Sequence, residues 1–145
     1  MAVYQNILLA VDLHPSCQDL TTECAVEFAK AYNAKLSILH VVEPIHAYSV
    51  GQAYPMVTEV EDQIANEAKK ALSTLSKKYG IPHSQQIVEM GPPVMIILDN
   101  AKKLNADLIV LGSHGRHGIR LLLGSTANGV IHLAQWDVLA VRMKE

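Results

Sequence analysis

The chain alternates short, mostly apolar runs with longer stretches in which apolar residues recur every three or four positions. Residues 4–11 are almost wholly apolar after Asn6, and residues 36–42, 108–111 and 138–141 are similar. Runs of this length with little polar alternation fit strands covered on both faces. Residues 85–89 are less apolar and fit a strand at a sheet edge.

Helical patterns lie between these runs. In the first, Ser16 with Asp19 three positions later reads as an N-terminal signature. Cys17, Leu20, Cys24, Phe28 and Ala31 form its apolar stripe, and residues 33–35 end it. In the second, Thr58 and Glu61 read as a capping box, and Val60, Ile64, Ala68, Ala71, Leu72 and Leu75 as the stripe. Gly80 stops that helix. The third opens at Gly91-Pro92-Pro93 and turns Val94, Ile97, Leu98, Ala101 and Leu104 inward. The last runs over residues 124–134 with Ala127, Val130, Ile131 and Ala134 inward, and Trp136 packs at the turn that follows. Residues 43–56 show no clear period and carry Pro44, Gly51 and Pro55. A connection of that length is usually functional or disordered, and here it is expected to act as a lid over a site or to reach a partner subunit. Strands that alternate with helices predict an α/β fold, a parallel sheet with helices on both faces.

Composition narrows the class. The 145 residues fit one domain, residues 1–145, and no internal repeat or linker is visible. Half the residues are hydrophobic and 5% are aromatic, so the core is expected to be aliphatic. A net charge of −2 without a long basic run argues against nucleic acid as a partner. The longest apolar runs fall far short of the roughly 20 residues that cross a membrane. No basic start leads into an apolar segment and cleavage site, so a cytoplasmic location is expected. Cys17 and Cys24 are two helical turns apart, too far for a disulfide within the helix, and read as small core hydrophobes.

The candidate chemistry sits in residues 108–126. A buried strand ends there in Gly112, Gly115 and Gly118, and Gly124-Ser125-Thr126 precedes a helix. Glycines admit a ligand close to the backbone, and a helix N-terminus offers unpaired N–H groups and a positive dipole end. Together they suit phosphate. No Gly-Lys-Ser/Thr follows the glycines, and Gly-x-Gly-x-x-Gly is absent, so neither a Walker A loop nor the dinucleotide fingerprint is present. On spacing alone a plain turn explains the glycines equally well. Asp12 follows the first strand at the end where open parallel sheets bind ligands. A turn residue bonding its own loop is the competing explanation. His40, within the second strand, reads as a packed, hydrogen-bonded side chain and not as a ligand.

Gly112-Ser113-His114-Gly115, the apolar Leu121-Leu122-Leu123 and Gly124-Ser125 closely resemble the signature of the universal stress protein family. Ile7-Leu8-Leu9-Ala10-Val11-Asp12 resembles that family's first strand. Residues 32–41 resemble its second, as found in the universal stress protein A branch, and residues 107–110 and 138–142 complete a match over essentially the whole chain. The resemblance implies a single-domain, Rossmann-like, open five-stranded parallel sheet in the order 3-2-1-4-5. It also implies an adenine-nucleotide ligand, ATP. Mg2+ is the ordinary companion of such phosphates. Adenine and ribose are then expected among Ala10, Val11, Asp12, Val41 and Leu111. Gly112 and Gly115 would admit the ribose and phosphates, Arg116 would add charge, and Gly124, Ser125 and Thr126 would donate to the phosphates. A homodimer through the C-terminal strand, residues 138–141, is implied as well.

One departure bears on the ligand. Eight residues separate Gly115 from Gly124, one fewer than in nucleotide-binding members. That spacing resembles the universal stress protein A branch, where ATP binding is generally not expected. The glycines and Gly124-Ser125 are intact, however. Three functions follow: an ATP-binding regulatory protein of the stress response, a nucleotide-free dimeric interaction module, or a slow ATPase. For the last, His114 and His117 are the nearby bases, and no catalytic set or metal-ligand cluster is recognisable.

Overall fold

A computed structural model describes residues 3–13, 18–44, 54–113 and 124–142. The elements run in chain order as β1 (Asn6–Ala10), α1 (Gln18–Tyr32), β2 (Lys35–Val42) and α2 (Tyr54–Tyr79), then a single 3-10 turn, His83–Gln85. After it come β3 (Gln86–Met90), α3 (Pro93–Lys103), β4 (Leu108–Gly112), α4 (Ser125–Leu133) and β5 (Asp137–Val141). The five strands form one sheet in the order β3-β2-β1-β4-β5. Every pairing is parallel, as the alternation predicts.

Period-two alternation sends successive strand residues to opposite faces. Ile7, Leu9, Leu36, Ile38, Leu108 and Val110 meet Ala25 and Ala29 of α1 and Leu72 and Leu75 of α2. Leu8, Leu39, Ile109 and Leu111 meet Ile97 and Ala101 of α3 and Ala127 and Val130 of α4. Two helices therefore cover each face. α3 and α4 approach closely because Gly129 has no side chain: a Cβ there would lie 2.7 Å from Val94 Cγ2. Trp136 packs against the α3/α4 layer, as its place in the chain predicts.

Three helices end by one device. Asn33, Gly80 and Asn105 take left-handed φ angles of 52°, 72° and 52°. The next amide in each case reaches back five residues: Ala34 to Ala29, Ile81 to Ser76 and Ala106 to Ala101, at 2.8 to 2.9 Å. This bond satisfies carbonyls that the helix leaves open and turns the chain toward the next strand. At the amino edge of the sheet, Asp107 binds the start of β1. Its carboxylate accepts the Gln5 and Asn6 amides at 2.8 and 3.1 Å, and its own amide donates to Asn6 O at 2.8 Å. Tyr4 donates to Asp137 at 2.8 Å, which holds its phenol above the ordinary tyrosine value, with burial adding to the effect.

Four expectations from the sequence need correction. The second helix begins at Tyr54, so Thr58 and Glu61 lie inside it and are not a capping box at its start. The nonperiodic stretch is correspondingly shorter. Of the expected stripe Val60, Ile64 and Ala71 are exposed, the first two at 44% and 39%, and only Ala68, Leu72 and Leu75 are buried. A 26-residue helix is about 39 Å long, whereas the eight residues of β2 span about 26 Å. The helix outruns the strand beneath it. On α1 the buried residues are Thr21, Thr22, Ala25 and Ala29, while Leu20 and Ala31 are exposed. Small side chains let the helix approach the sheet, and Cys24 and Phe28 fall on its flank, half-buried. On α4, Ile131 is exposed. The signature residue Ser16, Cys17, and most of the expected lid, residues 45–53, lie outside the described residues.

Two stability measurements follow. Asp107→Ala is expected to lose roughly 2 kcal/mol in a urea melt, since hydrogen bonds to a charged acceptor contribute about 1.5–3 kcal/mol. Asp107→Asn, which keeps one acceptor oxygen, should lose about half as much; an unchanged melt for the alanine variant would remove this anchor. Ser76 is fully buried and its hydroxyl has no hydrogen-bond partner among the described residues. Ser76→Ala should therefore raise stability by up to about 1 kcal/mol, and a loss in the same melt would count against an unpaired hydroxyl.

Candidate functional site

The strand order places β1 between β2 and β4. The chain leaves β1 through α1 on one face and enters β4 from α3 on the other. This is a topological switch point, and the crevice beyond the carboxyl ends of such strands is where open α/β sheets take ligands. The residues around it come from five elements or their ends.

Three of the predicted residues share one face. Ala10 pairs with Leu39 on one side and Leu111 on the other. Val41 lies two residues beyond Leu39, on the same side of β2. Ala10, Val41 and Leu111 all contact the α3/α4 layer, Leu111 buried and the other two half-buried. They form an apolar floor at the carboxyl edge. Val11 is buried on the opposite face, and its amide donates the last bond of the β1–β2 ladder to Leu39 O, at 2.9 Å. Asp12 follows it and is exposed.

The fourth strand and the last helix close the other side. Gly112 pairs with Val141 of β5. Ser113 donates its amide to Val141 O at 2.8 Å and accepts the Gly124 amide on its carbonyl at 2.7 Å. Ser113 and Gly124 are thus drawn together although ten residues separate them in sequence. Gly124 caps α4 with φ −60° and ψ 155° and no side-chain cap bond. Ser125 and Thr126 form the first turn of that helix, Ser125 exposed and Thr126 half-buried. Helix geometry leaves the amides of this turn without intrahelical acceptors. The Gly124 amide, expected from the sequence as a phosphate donor, is already bound to Ser113. Gly115, Arg116, His114 and His117 lie outside the described residues.

Two features of this edge were not legible in the chain. Ser113 lies within the signature without an expected role at the site, yet its main chain joins β5 to the start of α4. Leu13 takes a left-handed φ of 60°, a conformation unusual for a branched side chain, and nothing in its neighbours signals it. His40 is the packed, hydrogen-bonded histidine that its position predicts: its Nδ1 lies 2.8 Å from Val11 O. Cys24 is half-buried, and burial, with the nearby Glu27, pushes its thiol pKa up, which disfavours the reactive thiolate. Among the described residues no group of three or more His, Cys, Asp or Glu is placed to hold a metal ion, and no helix is long and apolar enough to cross a membrane.

An apolar floor at an edge where β1 runs into Asp12 and α4 begins suits a ligand with a flat ring, hydroxyls and an anionic tail. Comparison with known proteins agrees with the fold that carries this edge. The family model described as the universal stress protein family matches residues 3–142. The chain is 43% identical over 141 residues to universal stress protein A homolog 2 of Coxiella burnetii, covering 97% of each chain. Among solved structures, universal stress protein UspA from Lactobacillus plantarum superposes with a TM-score of 0.82 at 28% identity, covering 99% of this chain and 100% of that one. A universal stress protein solved in complex with cAMP gives a TM-score of 0.61 at 26% identity, covering 96% and 97%. With the sheet order, the family match and this full-length identity in agreement, the chain belongs to the universal stress protein family.

Proposed function

We propose that this chain is an adenine-nucleotide-binding regulatory protein of the stress response, that its ligand is ATP, and that it acts in the cytoplasm as a homodimer. The observation that carries the reading is the shared face of Ala10, Val41 and Leu111 beside the start of α4. The floor accepts the adenine ring, Asp12 accepts hydrogen bonds from the ribose hydroxyls, and the Ser125 and Thr126 amides and hydroxyls donate to the phosphates. The relative solved with cAMP supports a nucleotide of the adenine class on this fold. Magnesium arriving with ATP takes most of its ligands from phosphate and water, so it needs no protein cage of its own.

A specific observation favours a second reading. The Gly124 amide is spent on Ser113, which removes one donor from the phosphate end. A nucleotide-free interaction module would keep the same bond as a structural closure. Release of bound nucleotide by denaturation, followed by ATP titration of the stripped protein, separates the two. Recovered adenine nucleotide or micromolar affinity, roughly −8 kcal/mol, is the expected result. Ala10→Leu, which fills the floor, should weaken ATP at least tenfold with the melting temperature nearly unchanged. An empty protein that ignores millimolar ATP would leave the interaction module.

The dimer reading rests on β5. It is an outer strand of the sheet, its residues from Val138 to Val141 are half-buried, and an open apolar edge invites pairing with another chain. Sedimentation should give twice the chain mass, and Ala140→Lys should shift it to the monomer. A wild-type protein that sediments as a monomer at tens of micromolar would remove this proposal.

A further inference from the structure

The chain leaving β1 is held at two points with Asp12 between them. On one side, His40 Nδ1 lies 2.8 Å from the Val11 carbonyl oxygen. A carbonyl oxygen only accepts, so Nδ1 carries the proton. On the other side, Leu13 packs against the α1/α2 layer while its backbone takes a φ of 60°. A left-handed leucine costs free energy and persists only where its surroundings over-determine it. A strand that simply ended would need neither the grip nor the strain. Asp12, between the two, is exposed.

His40 works from behind the site. It shares its face of β2 with Ile38 and pairs with Val88, both in the α1/α2 layer. Ala10, Val41 and Leu111 stand on the other face. The ring therefore does not belong to the apolar floor, and its link to the site runs through the main chain of Val11.

We propose that His40 is a positioning residue for the carboxyl-edge site: its Nδ1–H grips the Val11 carbonyl, fixes the turn of residues 11–13, and so sets the direction in which Asp12 leaves the sheet. Its effect on affinity rests on the nucleotide reading above, whereas its effect on the turn does not. The imidazole supplies a donor on a short, stiff arm, and the strained Leu13 then stays in place without a ligand to hold it. Binding meets a carboxylate already aimed, and the cost of ordering it is met on folding.

Two variants and two readouts test this. His40→Leu keeps bulk and loses the donor. His40→Asn places an amide nitrogen where Nδ1 stands and keeps it. Amide hydrogen exchange at Asp12 and Leu13 is measured in the ligand-free protein, and ATP affinity by calorimetry. For His40→Leu, exchange at these two amides should rise at least tenfold while exchange in β5 stays as in wild type, and ATP affinity should fall roughly tenfold. His40→Asn should recover both to within about threefold. Unchanged exchange in His40→Leu, or no recovery in His40→Asn, overturns the positioning role. Unchanged ATP affinity overturns its bearing on the site. A wild-type protein that ignores ATP sinks the nucleotide reading and the affinity role together, while the exchange result still decides the grip on the turn. Should His40→Leu fail to fold, the ring nitrogens of the wild-type protein carry the test. A protonated Nδ1 coupled to the Val11 carbonyl carbon supports the grip, and a ring protonated at Nε2 alone overturns it.

Discussion

Every other part of this fold is referred to β1. The strand is hydrogen-bonded along both edges, to β2 and to β4, and buried on both faces. Leu8 and Leu9 are fully buried on opposite sides. A strand in that position has no polar face to spare, which is why its sequence is an unbroken apolar run after Asn6. It also fixes the two layers at once, because each inward residue of one face is followed by an inward residue of the other. α1 and α3 rest directly on it, whereas α2 lies over β2 and β3 and α4 packs beside α3 and β5.

A parallel sheet collects its carboxyl ends along one edge, and the reversal of direction at β1 opens a crevice there. Three small or aliphatic side chains floor the crevice. The main chain of Ser113 ties the start of α4 to β5 across its rim. On the other side of β1, His40 and Leu13 bracket Asp12. The two sides differ physically: among the described residues one is held by backbone hydrogen bonds, the other by a side-chain donor and a strained residue. Strain of that kind is retained where the surrounding structure supports it and where a side chain must leave in a set direction.

The opposite edge is built for stability. Asp107 accepts two amides at the entry to β1, and the left-handed ends of α1, α2 and α3 each turn the chain into or toward a strand there. Ordered carbonyls and amides at this edge leave few polar groups unpaired where they would be costly. The described residues thus stitch the amino ends of the strands with hydrogen bonds and gather Ala10, Val41 and Leu111 at the carboxyl ends.

The chain by itself determined the order of strands and helices, the parallel sheet and the layer architecture, because apolar period and helix-ending residues are local signals. Gly80 and the Asn33 turn ended their helices as composition predicts, and residues 85–89 read as an edge strand for want of apolar residues. The strand order came from resemblance to a family, since alternation leaves it open. Tertiary structure alone decided which apolar residues the helices bury. Periodicity marks a stripe, but the length of the strands beneath sets how much of it is covered, so Val60 and Ile64 stay exposed while Leu72 and Leu75 do not. Distance across the sheet likewise brought Ser113 to Gly124 and His40 to Val11, contacts between residues far apart in sequence that no local pattern encodes.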